Sequence, residues 1–359
     1  MKNFALIFIS LVLVATSAQA TKKPGSFTIE KELGHTPVIS QGSTGTCWSF
    51  ATTSFLESEI LRKGFPQTNL SEMFFVYYAY KNKAKKYLLY HGNNNFGQGG
   101  QAHDVIDVLH EHGMISQEAF PGKTDDGRYR HRDLVNELET EVANLNKKRK
   151  NFDLAGLKSY ESILKEHIGR VPNKFKSEKG RLSPLKFRDE FEIDPDDYVE
   201  LTSYSHHPFY QPIVLEIPDN WSHALYYNLP IDDLMEVMYN SVENGYTFCW
   251  DGDTSEKTFS HNKGTADLPE KQKGKVDQLL RQKTFFNRST TDDHLMHVVG
   301  ISKNDEGETA FYTKNSWGPE SNDFGGYLHM TEDYVKLKTI AILVHKDAIP
   351  RKIKRKLNL

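Results

Sequence analysis

The sequence predicts an α+β protein, because helical spacing fills its first part, a charged helical stretch follows, and β-favouring apolar runs dominate beyond about residue 200. With 38% hydrophobic and 26% charged side chains over 359 residues, the chain can bury one large core or two smaller ones. Its formal charge of −3 leaves no basic surplus for a phosphate backbone, so no nucleic-acid partner is expected.

From Cys47 to about Lys63 the apolar residues Phe50, Phe55, Ile60 and Leu61 recur at three- to five-residue spacing, and Gly64 and Pro66 close the segment. A helix therefore begins at a cysteine. A second opens at Ser71 ahead of Met73, Phe74 and Tyr77. A third carries Val105, Ile106, Val108 and Leu109 and stops at Gly113, after an Asn- and Gly-rich loop over 91–100. Leu134, Leu138, Val142 and Leu145 mark an amphipathic helix, and Leu157, Ile163, Leu164 and Ile168 mark another, ended by Pro172. Polar loops lead to about Glu200. Strands are expected at Ile213–Ile217, Thr247–Trp250, Met296–Ile301, Ala310–Thr313 and Ile340–Val344.

Residues 1–20 combine Lys2, the apolar run Phe4–Ala15 and the closing Ala18-Gln19-Ala20, the pattern of a secretory signal peptide cleaved after Ala20. The expected location is secreted or periplasmic. That apolar run falls short of the roughly 20 residues needed to cross a bilayer, so no stable membrane insertion is expected. The basic run Arg351 to Lys356 reads as a solvated tail. His110 with His112, and His206 with His207, have spacings that converge ligands poorly, so no metal site is expected and the chemistry below needs no cofactor.

That chemistry centres on Gln41-Gly42-Ser43-Thr44-Gly45-Thr46-Cys47-Trp48-Ser49-Phe50-Ala51. A thiol at a helix N-terminus meets unpaired N–H groups and the positive end of the macrodipole, both of which stabilise a thiolate. An amide six residues upstream, Gln41, can fold back as an oxyanion donor. Cys249 lies in the apolar run Gly245-Tyr246-Thr247-Phe248-Cys249-Trp250-Asp251 and reads as structural.

The Cys47 segment resembles the active-site signature of papain-like cysteine peptidases, with Gln41 in the oxyanion position. Asp293-His294-Leu295-Met296-His297-Val298-Val299-Gly300 resembles that family's histidine strand, and Lys314-Asn315-Ser316-Trp317-Gly318 its asparagine motif. The resemblance implies a two-lobed fold, a helical lobe and an antiparallel β lobe, with Cys47 as nucleophile, His294 as base, Asn315 orienting the imidazole and Trp317 shielding it. His297, three residues from His294 on a strand, points to the opposite face. Gly99 and Gly100 match the glycine pair along which the family pairs an extended substrate. Peptides are the implied partners.

Within the family, the positions of a usual disulfide look like Thr44 and Gly97, so that bridge is absent. Gly99-Gly100-Gln101, Ile168-Gly169 with Pro172 and Phe175, Leu182-Ser183-Pro184-Leu185 with Phe187, and Tyr227-Asn228-Leu229-Pro230-Ile231-Asp232 resemble the bleomycin hydrolase and aminopeptidase C branch. That branch implies aminopeptidase action, often as a hexamer, through a C-terminal arm lying in the cleft. Only 26 residues separate the expected cleavage site from Cys47, too few for a long inhibitory prosegment. The expected division is a signal peptide over 1–20, a helical lobe over 21–125, a helical insertion over 126–200, a β lobe over 201–350 and a tail over 351–359. Because that tail is short and basic, two alternatives stand beside an aminopeptidase: an endopeptidase with an open cleft, and a catalytically silent peptide-binding module.

Overall fold

The computed structural model describes residues 27–122, 126–148 and 157–359; the expected leader, residues 1–20, lies outside them. Among the described residues, six helices form one side: α1 (Cys47–Arg62), α2 (Glu72–Leu89), α3 (Ala102–His112), α4 (Arg132–Lys147), α5 (Lys158–Ile168) and the short α6 (Pro184–Asp189). In α1 every residue from Trp48 to Ile60 is buried, which explains its irregular apolar spacing: a helix covered on all sides has no single face to mark. Ser71 caps α2 by accepting from the Phe74 N–H, as the segment's start predicts. The stretch over 126–200 contributes to the same core, since Leu134, Leu138, Leu164 and Ile168 cluster with Phe74, Tyr80 and Val105. The segment read as polar loops contains the hairpin β2 (Phe175–Ser177) and β3 (Gly180–Leu182) and α6, too short for a periodic signal.

An eleven-stranded sheet forms the other side. It holds β1 (Thr28–Glu32), β4 (Tyr198–Thr202), β5 (Gln211–Val214), β6 (Leu225–Asn228), β7 (Phe248–Gly252), β8 (Phe259–Ser260), β9 (Thr265–Ala266), β10 (His294–Lys303), β11 (Thr309–Lys314), β12 (Tyr327–Thr331) and β13 (Thr339–His345). The order is β5-β6-β4-β13-β7-β10-β11-β12-β9-β8, with β1 also on β10. All pairs are antiparallel except β4 with β6 and β9 with β12. Alternation along β10 divides the interior: Leu295 joins the helical core, while Met296 and Val298 join a second core. That second core is closed by α7 (Ile231–Glu243), α9 (Glu332–Lys338) and α10 (Arg351–Leu357), with α8 (Gln278–Phe286) at its margin.

Two expectations are corrected. The run Arg351–Lys356 is not a freely solvated tail but most of α10, whose Ile353 and Leu357 are buried against the second core. Its lysines reach α7, through Lys352 to Glu236 at 2.7 Å and Lys356 to Asp233 at 3.5 Å. An amphipathic turn of seven residues was hidden by its high charge. His206 and His207 also converge after all, both turning Nε2 onto Glu216, at 3.1 and 2.8 Å. The third member comes from ten residues away, which the spacing of the histidines alone could not reveal.

A buried polar chain joins the lobes. Lys314 on β11 donates to Ser54 on α1 (2.8 Å) and to Thr36 (3.0 Å), Thr36 donates to Glu57 (2.5 Å), and Ser54 meets His297 Nδ1 (2.8 Å). Desolvation pulls the Lys314 ammonium down to about 8 and pushes the Glu57 carboxyl up, while their attraction opposes both shifts.

Candidate active site

Cys47 opens α1 where β10 crosses it. The backbone N–H groups of Leu295 and Trp48 lie close enough to favour its thiolate, which places the sulfur one residue from His294. Part of Cys47 remains exposed, yet desolvation pushes its thiol up to about 12; the two N–H groups oppose this, and Asp251 and Asp292 reinforce it. His294 is buried, and loss of water pulls its imidazole down to about 4. Burial thus disfavours charge on either group alone, so a neutral thiol beside a neutral imidazole is the favoured pair.

Asn315 Oδ1 lies 2.8 Å from His294 Nε2, leaving Nδ1 as the ring nitrogen for the thiol. Trp317 packs on the same imidazole with ring centroids 5.0 Å apart and remains 39% exposed, so it forms a lid between that hydrogen bond and water. The sequence reading missed His261. Its Nδ1 accepts from the Asn315 amide at 3.2 Å, its Nε2 meets Ser321 at 2.7 Å, and its ring stands edge-on to Trp317. His261 sits in a short loop turn between β8 and β9, without a motif to mark it.

Gln41 is held at both ends of its amide. Its Oε1 accepts from Ser316 at 2.6 Å and its Nε2 donates one proton to the Thr44 carbonyl at 2.7 Å, which leaves the second N–H to point elsewhere. Gly42 is required for this turn: its φ is +62°, and a Cβ there would stand 2.6 Å from the Tyr129 carbonyl oxygen. Between the cysteine and glycine loops, Gly45 N–H donates to Gln98 Oε1 (2.7 Å) and Trp48 Nε1 to the Gln98 carbonyl (2.9 Å), joining two segments for which no disulfide was expected.

The glycine pair has an internal reason to be bare. A Cβ on Gly100 would meet Asp104 and Trp48, and one on Gly99 would lie 1.9 Å from an Asp219 oxygen. Lys83 donates to the Gly97 carbonyl at 2.9 Å and also to that of Gly99. Among the described residues, the Gly100 backbone has no hydrogen-bond partner. His297 faces away from the site, as alternation predicts, and is packed against Ser54 and Phe55 rather than exposed. Cys249 is buried and unbridged, 3.6 Å from Thr52 Oγ1.

Comparison with known proteins agrees with this geometry. Residues 170–359 match the model of the "Peptidase C1-like family", and residues 24–171 match "Papain family cysteine protease". Bleomycin hydrolase of Mus musculus is 22% identical over 382 residues, covering 88% of this chain and 82% of its own. Aminopeptidase G of Lactobacillus delbrueckii subsp. lactis is 22% identical, with 88% and 82% covered, and aminopeptidase E of Lactobacillus helveticus is 24% identical, with 90% and 84%. The solved structure of PepW from Lactobacillus rhamnosis HN001 shares the fold, with a TM-score of 0.77 at 16% identity over 92% of this chain and 84% of that one. The chain belongs to the Peptidase C1-like family, as a papain-like cysteine peptidase of the bleomycin hydrolase and aminopeptidase C branch.

Proposed function

We propose that the protein is an aminopeptidase in which Cys47 is the nucleophile. His294 Nδ1 takes the thiol proton as Sγ adds to the substrate carbonyl. The free Gln41 N–H and the Cys47 backbone N–H receive the oxyanion, and the imidazolium returns its proton to the leaving amine as the thioester forms. Water, deprotonated by the same imidazole, then releases the acid. Asn315 keeps the ring turned, and Trp317 keeps water from their hydrogen bond.

The observation that carries the exopeptidase reading is Asp219 seated against Gly99. Gly100 offers its backbone to an extended substrate, but the next step along the loop is occupied by Asp219 and by Lys83 on the Gly99 carbonyl, so the acyl side of the cleft is short. Relatives named as aminopeptidases support the same reading. One observation favours an endopeptidase instead: α10 is docked on α7, and its contacts are with Glu236, Asp233, Asp347 and Tyr210 rather than with the cleft. One peptide offered with a free and with an acetylated N-terminus separates the two. Equal cleavage rates sink the aminopeptidase reading, and persistence of cleavage in Cys47→Ala sinks the mechanism. The leader pattern of residues 1–20 supports action outside the cytoplasm, which fractionation of the native host tests by where the processed chain is found.

A further inference from the structure

Beside the thiol lies an excess of negative charge that the mechanism does not use. Asp292 stands two residues before His294, and Asp251 lies opposite Leu295 in the β7–β10 ladder, the residue whose N–H lies close to Cys47 Sγ. Asp251 is 3% exposed, and among the described residues no N–H or hydroxyl donor reaches either of its oxygens. Its carboxyl faces that of Asp292, and the hydrogen bond between them requires a shared proton. Asp292 is only partly covered and accepts from Gln101 Nε2 at 2.9 Å. Asp219, against Gly99, bears on both.

The surrounding cations are already engaged. His103 pairs with Glu200 at 2.5 Å and Asp104 at 3.5 Å, and Lys83 donates to the carbonyls of Gly97 and Gly99 while offsetting Asp104 and Asp219. Among the described residues, six carboxyl groups, counting Asp107 beside His103, thus face two cations, and neither cation serves the Asp251–Asp292 pair. Two acids in contact, one of them buried, are unfavourable unless a proton or a cation sits with them. The Tyr226 hydroxyl nearby is likewise buried without a partner among the described residues.

We infer that Asp292, backed by the buried Asp251, receives a cationic group of the substrate, an ammonium or a guanidinium, on the acyl side of the scissile bond. The inference rests on the cysteine-peptidase reading and narrows its substrates. When the cation enters, the shared proton leaves to solvent and a charge-assisted pair replaces it. The same chemistry has two sources, the peptide's own N-terminal ammonium and a lysine or arginine side chain.

Two matched pairs of fluorogenic substrates with one leaving group separate them. Acetyl-arginine against acetyl-citrulline in the second position from the scissile bond reads a side-chain cation. A free leucyl group against 4-methylpentanoyl, which lacks only the amine, reads the N-terminus. The expected result is roughly a tenfold preference in kcat/KM for the charged member of one pair, about the size of one charge-assisted hydrogen bond, with the preference collapsing toward unity in Asp292→Asn. A preference of threefold or less in both pairs overturns the inference. So does a preference unchanged in both Asp292→Asn and Asp251→Asn, the second variant standing in if the first does not fold. If the wild type cleaves no substrate, the peptidase reading has failed separately. The site is then read by alkylation of Cys47 with iodoacetamide: slowing by argininamide beyond that by citrullinamide supports the site, and equal slowing overturns it.

Discussion

Asn315 stands between two imidazoles and is bonded to both, its Oδ1 to His294 at 2.8 Å and its Nδ2 to His261 Nδ1 at 3.2 Å. An amide bonded at one end only can rotate about its terminal torsion; bonded at both, it presents a fixed oxygen to His294. His261 is therefore a positioning residue. We expect His261→Ala to lower kcat roughly tenfold, against about a hundredfold or more for Asn315→Ala. His261→Gln, which can restore an acceptor, is expected to recover part of the loss. Comparison of kcat with KM checks this, because a structural role would not leave KM unchanged.

Gln41 offers a separate test. Removing one preorganised oxyanion donor costs about 10²–10³ in kcat elsewhere. Gln41→Ala is expected to fall in that range while Cys47 still reacts with iodoacetamide, which needs no oxyanion. Loss of alkylation together with turnover would instead mean that the Cys47 loop had collapsed.

The buried chain through Lys314 predicts a coupling. Lys314→Met strands Glu57 and is expected to cost about 3–5 kcal/mol in urea unfolding. Adding Glu57→Gln removes the stranded charge and is expected to return a large part of it. A double-mutant cycle reads the difference.

Stability toward acid follows from imidazoles kept neutral. Burial, with a smaller contribution from His167, pulls His131 down to about 4, and burial does the same for His329. An unfolded histidine takes up its proton near 6.5, whereas the folded one waits until about 4, so this stabilisation is complete above pH 6.5 and is lost as pH falls toward 4. Each such group is worth up to about 3 kcal/mol across that window. Asp292, raised to about 7 first by desolvation, acts oppositely: its contribution is full below about 4 and lost as pH rises through 7. His131→Asn, which keeps an acceptor for Tyr80, is expected to flatten the fall in urea midpoint between pH 6.5 and 4.5.

A fifth expectation concerns α10. Ile353→Ala should cost about 2–4 kcal/mol, since that side chain is fully buried. Discrimination between free and blocked N-termini should survive it, if the acyl side of the cleft is shortened by Asp219 rather than by the last residues of the chain. Thermal unfolding and the paired peptide assay check the two statements separately.

What the residue order revealed was chemistry carried by contiguous motifs. Cys47, His294, Asn315 and Gln41 lie in short strings whose resemblance to the papain-like motifs implies their roles, and the structure brings them together. Strands with apolar runs, such as β10 and β13, were equally plain. Elements whose partners come from far away were not. β1 is almost entirely exposed and shows no alternation; α10 hides two buried apolar residues among lysines and arginines. His261 and Asp219 owe their places to loops folded over from elsewhere in the chain, and no local pattern records that.

The loops around Cys47 and Gly97 are clipped together by the side chain and carbonyl of Gln98, and both cysteines are free. The scaffold therefore contains nothing for a thiol reductant to break, while its nucleophile needs a reduced sulfur to react. Oxidation to the sulfenic or mixed-disulfide level should silence the protein without unfolding it, and a thiol reductant should restore it, so that redox state sets its activity independently of its stability.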